Sequence, residues 1–443
     1  MGVLSKPLPL EIWMLIVKLL KPNTKANTKT LRALSRCCRA LALLSQRVLF
    51  NDLHIPRICP ILPARRAGAL ARLKDAFTRS PHLATFVRKV CYTIKYSDSQ
   101  NTNLHWILNQ LSNLAEVEVQ YHAAEVTLDM PRLDWNALDV RLRSSIIHVV
   151  QSPRLESLTL SWIKNMPLSV FISLSSDLRT VMLQGVEVKD PESTLNYDRA
   201  STQVGLSLRQ TENRRLPKIT DLYYYEHDAA SVLASRPFVF DFEQLQFLYI
   251  SWGNERQCTL GRELMEAASN LEGLACVVDS PQKSAAGLAK AILDYSFDGS
   301  LTTLVIVLSH KTASPTLQYA DDYDLLLGLI EELELLAGKN TVEYLMVHFD
   351  TTKEIQHRLL LCLQRFNDVI TRKNFPYLEH FELEFWVHCP ERYDGPFAAY
   401  RSRLEDSWKE GNLLQCREVS AIPGLQFECK VVIIDGWEAP RGP

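Results

Sequence analysis

The chain has 443 residues, more than one hydrophobic core usually requires, and its composition (47% apolar, 23% charged) is that of a folded rather than a disordered protein. No run of 18 uninterrupted apolar residues occurs, which excludes an ordinary membrane-spanning helix. The net charge of −2 conceals a gradient: residues 1–98 carry 18 Lys and Arg against 4 Asp and Glu, leaving 31 against 47 in the rest. A basic head of this kind suits an acidic protein, a nucleic acid or a membrane surface, or is simply a solvated face. Ten cysteines are scattered without a CxxC pair, and Glu11 and Lys18 spoil the N-terminal apolar stretch as a signal peptide. These features read as reduced thiols in cytoplasm and/or nucleus.

The first element is the stretch LPLEIWMLIVKLL, residues 8–20. Ile12, Leu15, Ile16, Leu19 and Leu20 recur at spacings of three and four and form one face of a helix. Pro9 near its start costs no hydrogen bond, and Glu11 in the first turn suits the helix dipole. Trp13 and Met14 widen the apolar surface, so the helix needs partners on more than one side. Residues 21–30, KPNTKANTKT, lack apolar periodicity and read as a loop. A helical pattern resumes with Leu31, Leu34, Cys38 and Leu41 on one stripe and Arg32, Arg36, Arg39 and Arg47 mostly off it. Cys37 and Cys38 read as core thiols, as does Cys276 further on.

In order, Leu8-Pro9, Glu11-Ile12, Ile16, Leu19-Leu20, Leu31, Leu34-Ser35, Cys38-Arg39, Leu44 and Leu49-Phe50 resemble an F-box, with a polar loop a few residues longer than that family's. The resemblance covers residues 4–54 and implies a three-helix module that binds the acidic Skp-type adaptor of cullin-based ubiquitin ligases. It implies that the adaptor is met by Leu8, Pro9, Ile12, Ile16, Leu19, Leu20, Leu31, Leu34, Cys38, Leu41, Leu49 and Phe50. A helical cap on the next domain's core is the alternative. Such a short unit buries too little apolar surface to stand alone in either case.

Residues 55–110 read as a linker and an N-terminal cap: a basic helix ends before Pro81, and an alternating strand follows with Phe86, Val90, Tyr92 and Ile94. From residue 111 onward a hexad of apolar positions one, four and six returns. It occurs as LAEVEV (114–119), LESLTL (155–160), LRTVML (178–183), ITDLYY (219–224), LQFLYI (245–250), LEGLAC (271–276), LTTLVI (301–306), VEYLMV (342–347) and LEHFEL (378–383). Helical stretches such as YDLLLGLIEELELLAG and EIQHRLLLCLQRFNDVI lie between, and a further β segment, QFECKVVIIDG, ends the series. Alternation of this kind resembles leucine-rich repeats, whose regular period is about 20–29 residues. Three or four of the intervals fit; the longer ones hold insertions, and the usual Asn after the motif is mostly missing. The expected fold is therefore α/β: a three-helix F-box, then an irregular leucine-rich-repeat-like α/β solenoid over 111–443. A compact α/β domain is the alternative.

In such a repeat the positions between the apolar ones face outward. They give a row with Tyr223, Phe247, Tyr249, Tyr344 and Met346 in its middle and Glu382 on the last rung, the candidate substrate-binding residues. The other reading is that a polar insertion, such as 187–217, folds over this row; 309–324 is a second insertion.

No HExxH, P-loop, GxGxxG or GxSxG is present, and 16 glycines are few for phosphate-cradling loops. His388-Cys389 has no second ligand pair at a useful spacing, so His388 reads as an ordinary imidazole and no metal or cofactor is expected. The sequence as a whole implies a non-catalytic substrate receptor of an SCF-type (Skp–cullin–F-box) ubiquitin ligase that binds an unknown target protein, with neither nucleic acid nor membrane as partner. The alternative is a repeat scaffold without a ligase role.

Overall fold

A computed structural model describes residues 10–20, 24–55, 63–121, 132–189, 215–225, 239–279, 284–295, 300–309, 326–352, 359, 362–389, 402, 405–407, 409–411 and 415–435. It divides into two compact units, Met1–Glu125 with Met130–Pro217 and Val126–Asp129 with Lys218–Pro443. Each is α/β with a parallel sheet. Residues 4–54 and 55–110 both fall in the first unit, which also takes the hexads beginning at 114, 155 and 178.

The first unit opens with α1 (Leu10–Leu19), α2 (Lys25–Leu34) and α3 (Arg39–Phe50). Helix α2 starts inside the stretch expected to be a loop. Thr24 explains this: its side chain accepts from Asn27 N at 3.1 Å and caps a segment that lacks apolar periodicity. The expectation that Cys37 and Cys38 are core residues is wrong. The helical pattern breaks between Leu34 and Arg39, the apolar stripe does not run through the break, and both thiols are exposed. Cys276 is buried as expected.

After α3 come β1 (Asp52–Ile55), α4 (Pro63–Arg79), α5 (His82–Thr85), β2 (Lys89–Ile94), α6 (Thr102–Gln110), β3 (Glu116–Tyr121), α7 (Val140–Val150), β4 (Ser157–Ser161), α8 (Ser169–Ile172) and β5 (Thr180–Gln184). These strands pair in parallel with their sequence neighbours, and two-residue bridges join 133–134 to 163–164 and 166–167 to 188–189. Arg66 of α4 and Asp98 form a 2.6 Å ion pair in the interior, with side chains 7% and 4% exposed.

The second unit holds β6 (Asp221–Tyr225), β7 (Phe247–Trp252), α9 (Glu255–Ala267), β8 (Gly273–Asp279), α10 (Leu288–Tyr295), β9 (Thr303–Ser309), α11 (Leu329–Leu336), β10 (Tyr344–Thr352), α12 (Arg365–Val369), β11 (His380–Cys389), α13 (Arg417–Ser420) and β12 (Gln426–Asp435). Each strand pairs in parallel with the next in sequence, without a register shift relative to the hexads. Each of the nine hexads enters a strand at its third residue, and positions one, four and six of each are at most 8% exposed. Leu222, Leu248, Leu274, Leu304, Leu345 and Phe381 form one continuous buried row; Tyr224, Ile250, Cys276, Ile306, Val347 and Leu383 form the next. Helices pack on this face. A Cβ added at Gly261 of α9 would come within 2.7 Å of the Trp252 ring, and Phe366 of α12 meets Phe381 at 5.7 Å between centroids. Of the stretch 309–324 all but Ser309, and of 187–217 all but a few residues, lie outside the described residues.

The layer of helices is tied internally by Glu332 of α11, which is 6% exposed. Its carboxylate accepts from Gly287 N at 2.9 Å and Ala289 N at 2.7 Å, at the start of α10. Glu332→Ala strands two buried backbone donors and removes a charge from a helix N-terminus, at a cost of about 2–3 kcal/mol. Urea denaturation measures it; a loss below about 0.5 kcal/mol would mean that water replaces the carboxylate.

Candidate functional site

Two surfaces emerge, one in each unit. The first belongs to α1. Val17 is its inward residue at 1% exposure, whereas Ile12, Met14, Leu15 and Leu19 are 40%, 38%, 58% and 80% exposed. An amphipathic helix with its apolar stripe left in water is a surface in want of a partner. Among the expected adaptor-binding residues, Leu31 and Leu41 are buried in the unit's own interior and Cys38 is exposed. Ile16, Leu20, Leu34, Leu49 and Phe50 are half-buried, Phe50 with its ring 6.2 Å from Phe77. Leu8 and Pro9 lie outside the described residues. Beside α1 a groove of about 990 Å³ is lined by Lys18, Arg32, Arg47, Leu49 and Phe50 among others, so part of the positive charge read from the sequence faces this region.

The second surface is the outward face of the second unit's sheet. Tyr223, Phe247, Tyr249, Tyr344 and Met346 are all half-buried there. Tyr223 stands 5.5 Å from Phe247 and 6.0 Å from Tyr249 between ring centroids, an aromatic ladder across β6 and β7. Register places Tyr223, Tyr249, Ala275, Val305, Met346, Glu382 and Glu428 in one row across all seven strands. Of the expected substrate-binding set, Tyr223, Phe247 and Tyr249 gather at one end. Tyr344, Met346 and Glu382 gather three to four strands away, since β10 and β11 follow β7 at third and fourth remove.

That second end is more polar than the hexads reveal. Glu382 is 8% exposed, accepts from the Tyr344 hydroxyl at 2.8 Å and pairs with Lys430 Nζ at 2.6 Å. Lys430 also reaches Glu428 at 3.2 Å. Burial, and then the bond to Glu382, push the Tyr344 phenol up to about 12. The Glu382 and Glu428 carboxylates push Lys430 above its ordinary range. Further along the same strands His348 Nδ1 meets Glu384 Oε2 at 2.8 Å, and His388 Nε2 meets Asp350 Oδ1 at 2.7 Å. The Trp386 ring lies edge-on to His348 at 4.7 Å. Sequence reasoning missed His348, Asp350 and Glu384 because it stopped at six residues per hexad, and Lys430 because the last β segment was read only as closing the series. The signal was present in the continued alternation of MVHFDTT and ELEFWVHC, since β10 and β11 run to nine and ten residues.

An imidazole oriented by a carboxylate is two-thirds of a nucleophile-activating array. No hydroxyl or thiol is bonded to either ring among the described residues, nor do three His, Cys, Asp or Glu gather there as metal ligands. The His348 bond holds the Glu384 carboxyl below its ordinary 4.5. A carboxyl depressed in the folded state stabilises it above its unfolded pKa and loses that contribution as pH falls through the folded value. Accordingly, the stability advantage of the parent over Glu384→Gln is complete above about pH 5 and disappears on acidification below that range. Urea midpoints from pH 3 to 7 measure it; a gap that does not change with pH would show that the pair is not felt.

Neither the family models nor the curated proteins offer a match to the chain. Among the described residues no helix is long and apolar enough to cross a membrane.

Proposed function

We propose that the protein is a substrate-recognition subunit of an SCF-type ubiquitin ligase. Residues 4–54 act as an F-box that docks a Skp-type adaptor and through it a cullin. The following strands and helices, read as an irregular leucine-rich-repeat-like solenoid, hold a target protein on the outward sheet face. The protein then contributes no catalytic group, only proximity and orientation of the target to a ubiquitin-charged enzyme. It acts in the cytoplasm and/or nucleus, apart from membrane and nucleic acid.

The observation that carries this reading is the exposed apolar stripe of Ile12, Leu15 and Leu19 on α1, within a stretch whose residue order resembles that of an F-box. Support for the repeat reading comes from the parallel pairing of hexad-bearing strands within each unit, with all three apolar positions of every hexad buried.

The test is capture of a purified Skp-type adaptor by the intact chain and by Ile12→Asp/Leu19→Asp. Both side chains are already exposed, so the variant folds normally. Two charges on an apolar contact remove several kcal/mol of binding, a loss of at least a hundredfold. Capture by both chains alike, or by neither, rejects the F-box reading. Adaptor capture without assembly of an active ligase would instead favour a scaffold.

A further inference from the structure

The groove beside α1 runs along the edge of the first unit's sheet. Among the described residues β1 pairs with β2 and with no other strand. Asn51 O accepts from Arg88 N at 2.9 Å and from Lys89 N at 3.0 Å, so residue 51 faces β2. Backbone groups alternate between the two edges of a strand. The N–H and C=O of Leu53 therefore turn the same way as those of Asn51, and those of Asp52 and His54 turn to the open side. The lining agrees: Asp52 and His54 border the groove of about 990 Å³, while Leu53 and Ile55 do not. Both bordering residues are exposed, and among the described residues nothing bonds to their outward backbone groups. An open edge of this kind is a template for another strand.

The groove's charge is mostly of one sign. Lys18 of α1, Arg32 of α2 and Arg47 of α3 line it, are exposed, and have no carboxylate partner among the described residues. Arg47 is held over the Phe86 ring at 5.5 Å. Against these three cations the described lining sets one carboxylate, that of Asp52. Val48, Leu49 and Phe50, all half-buried, give the groove an apolar stretch as well. Ile12, Leu15 and Leu19 do not line it, so the groove is a surface distinct from the exposed stripe of α1.

An open strand edge, cations and apolar side chains together select one kind of occupant. A nucleic acid would use the cations, but Asp52 opposes its unbroken run of phosphates and the strand edge gains no ladder from it. A peptide strand matches all three features. Asp52 and His54 are two residues apart, about 6.6 Å, which is the repeat at which a neighbouring strand presents its own N–H and C=O. We infer that β1 is extended by an acidic segment of a partner protein. The segment adds a strand along Asp52–Ile55, with Asp or Glu side chains toward Lys18, Arg32 and Arg47 and an apolar side chain on Leu49 or Phe50. Main-chain bonds hold it and the cations choose it. The four residues of β1 span about 13 Å, so about four to six residues of partner suffice. The inference goes beyond the receptor reading and does not rest on it.

The experiment uses the intact chain as bait for a phage-displayed library of random dodecapeptides, followed by titration of the best synthetic peptide. The expected result is enrichment of peptides with several Asp or Glu and an apolar residue, bound more weakly as salt rises. Affinity should fall at least tenfold when Lys18→Glu/Arg32→Glu replaces the parent, with unchanged circular dichroism, since both side chains are exposed. Two further peptides carry methyl groups on alternate backbone nitrogens, one set or the other, with their charge intact. One set should cost at least tenfold and the other little, because only every second N–H of an added strand meets β1. Amide exchange at Asp52 and His54 should slow on binding. Enriched peptides without acidic residues, affinity indifferent to the charge-reversed variant, equal effects of the two methylated sets, or no enrichment over an empty support each overturn the inference. Tighter binding of a labelled oligodeoxythymidine than of the best peptide, lost in the same variant, overturns it in favour of nucleic acid.

Discussion

Asp98→Ala costs the first unit about 3–5 kcal/mol, far more than the worth of its ion pair with Arg66. Asp98 is 3% and Arg66 6% exposed, so the substitution leaves a guanidinium in the interior with no counter-charge. One carboxylate oxygen, Oδ2, gathers donors from Arg66 Nη2 at 2.6 Å, the Tyr92 hydroxyl at 2.9 Å and Lys95 N at 3.0 Å. Arg66 Nη2 also donates to Thr93 O at 3.1 Å, which ties α4 to the end of β2. Burial pushes the Asp98 carboxyl above its ordinary range despite the pull of Arg66, so desolvation outweighs the attraction of the pair. Replacing both partners, Arg66→Met with Asp98→Leu, should therefore recover more than half of the single variant's loss. Urea unfolding of the two variants provides the comparison. A single-variant cost below about 1 kcal/mol would show that water reaches the guanidinium.

Phe381→Ala is the corresponding expectation for the second unit, at about 3–5 kcal/mol. Phe381 is fully buried in the inner row, 5.7 Å from Phe366 of α12 and 5.7 Å from Phe427 of β12. Its removal opens a cavity where helix layer, strand and neighbouring strand meet. Faster amide exchange in β10 to β12 should accompany the fall in stability. If β11 amides exchange as slowly as in the parent, the surrounding side chains have collapsed into the space.

The hexads made the sheet legible because a buried parallel strand needs apolar residues at alternate positions, and the preceding Leu enters the same interior. Leu155, Leu158 and Leu160 follow this rule, as do Leu301, Leu304 and Ile306. Local capping was harder to see. Thr24 turns a polar stretch into the start of α2, and neither hydrophobic period nor propensity announces it. The break at residues 35–38 was hidden for a different reason: Cys38 continues the helical spacing on paper although the backbone has left it. At the candidate binding face, residue types were visible but not their pairing. His348 with Glu384 is a same-rung pair, whereas His388 with Asp350 is diagonal across the strands, and only register decides between the two.

The pairing of each described strand of β6 to β12 with its sequence neighbour bears on how the second unit comes to be folded. Partners lie within a few dozen residues of one another, so no step requires the unit's two ends to find each other. Contact order is low for a molecule of this size, and loop-closure entropy is met in small instalments. A nucleus of two or three rungs can form anywhere along the series and grow by adding a strand and its helix. The same economy makes growth by duplication of a rung straightforward, since a new one needs to match only the two it touches.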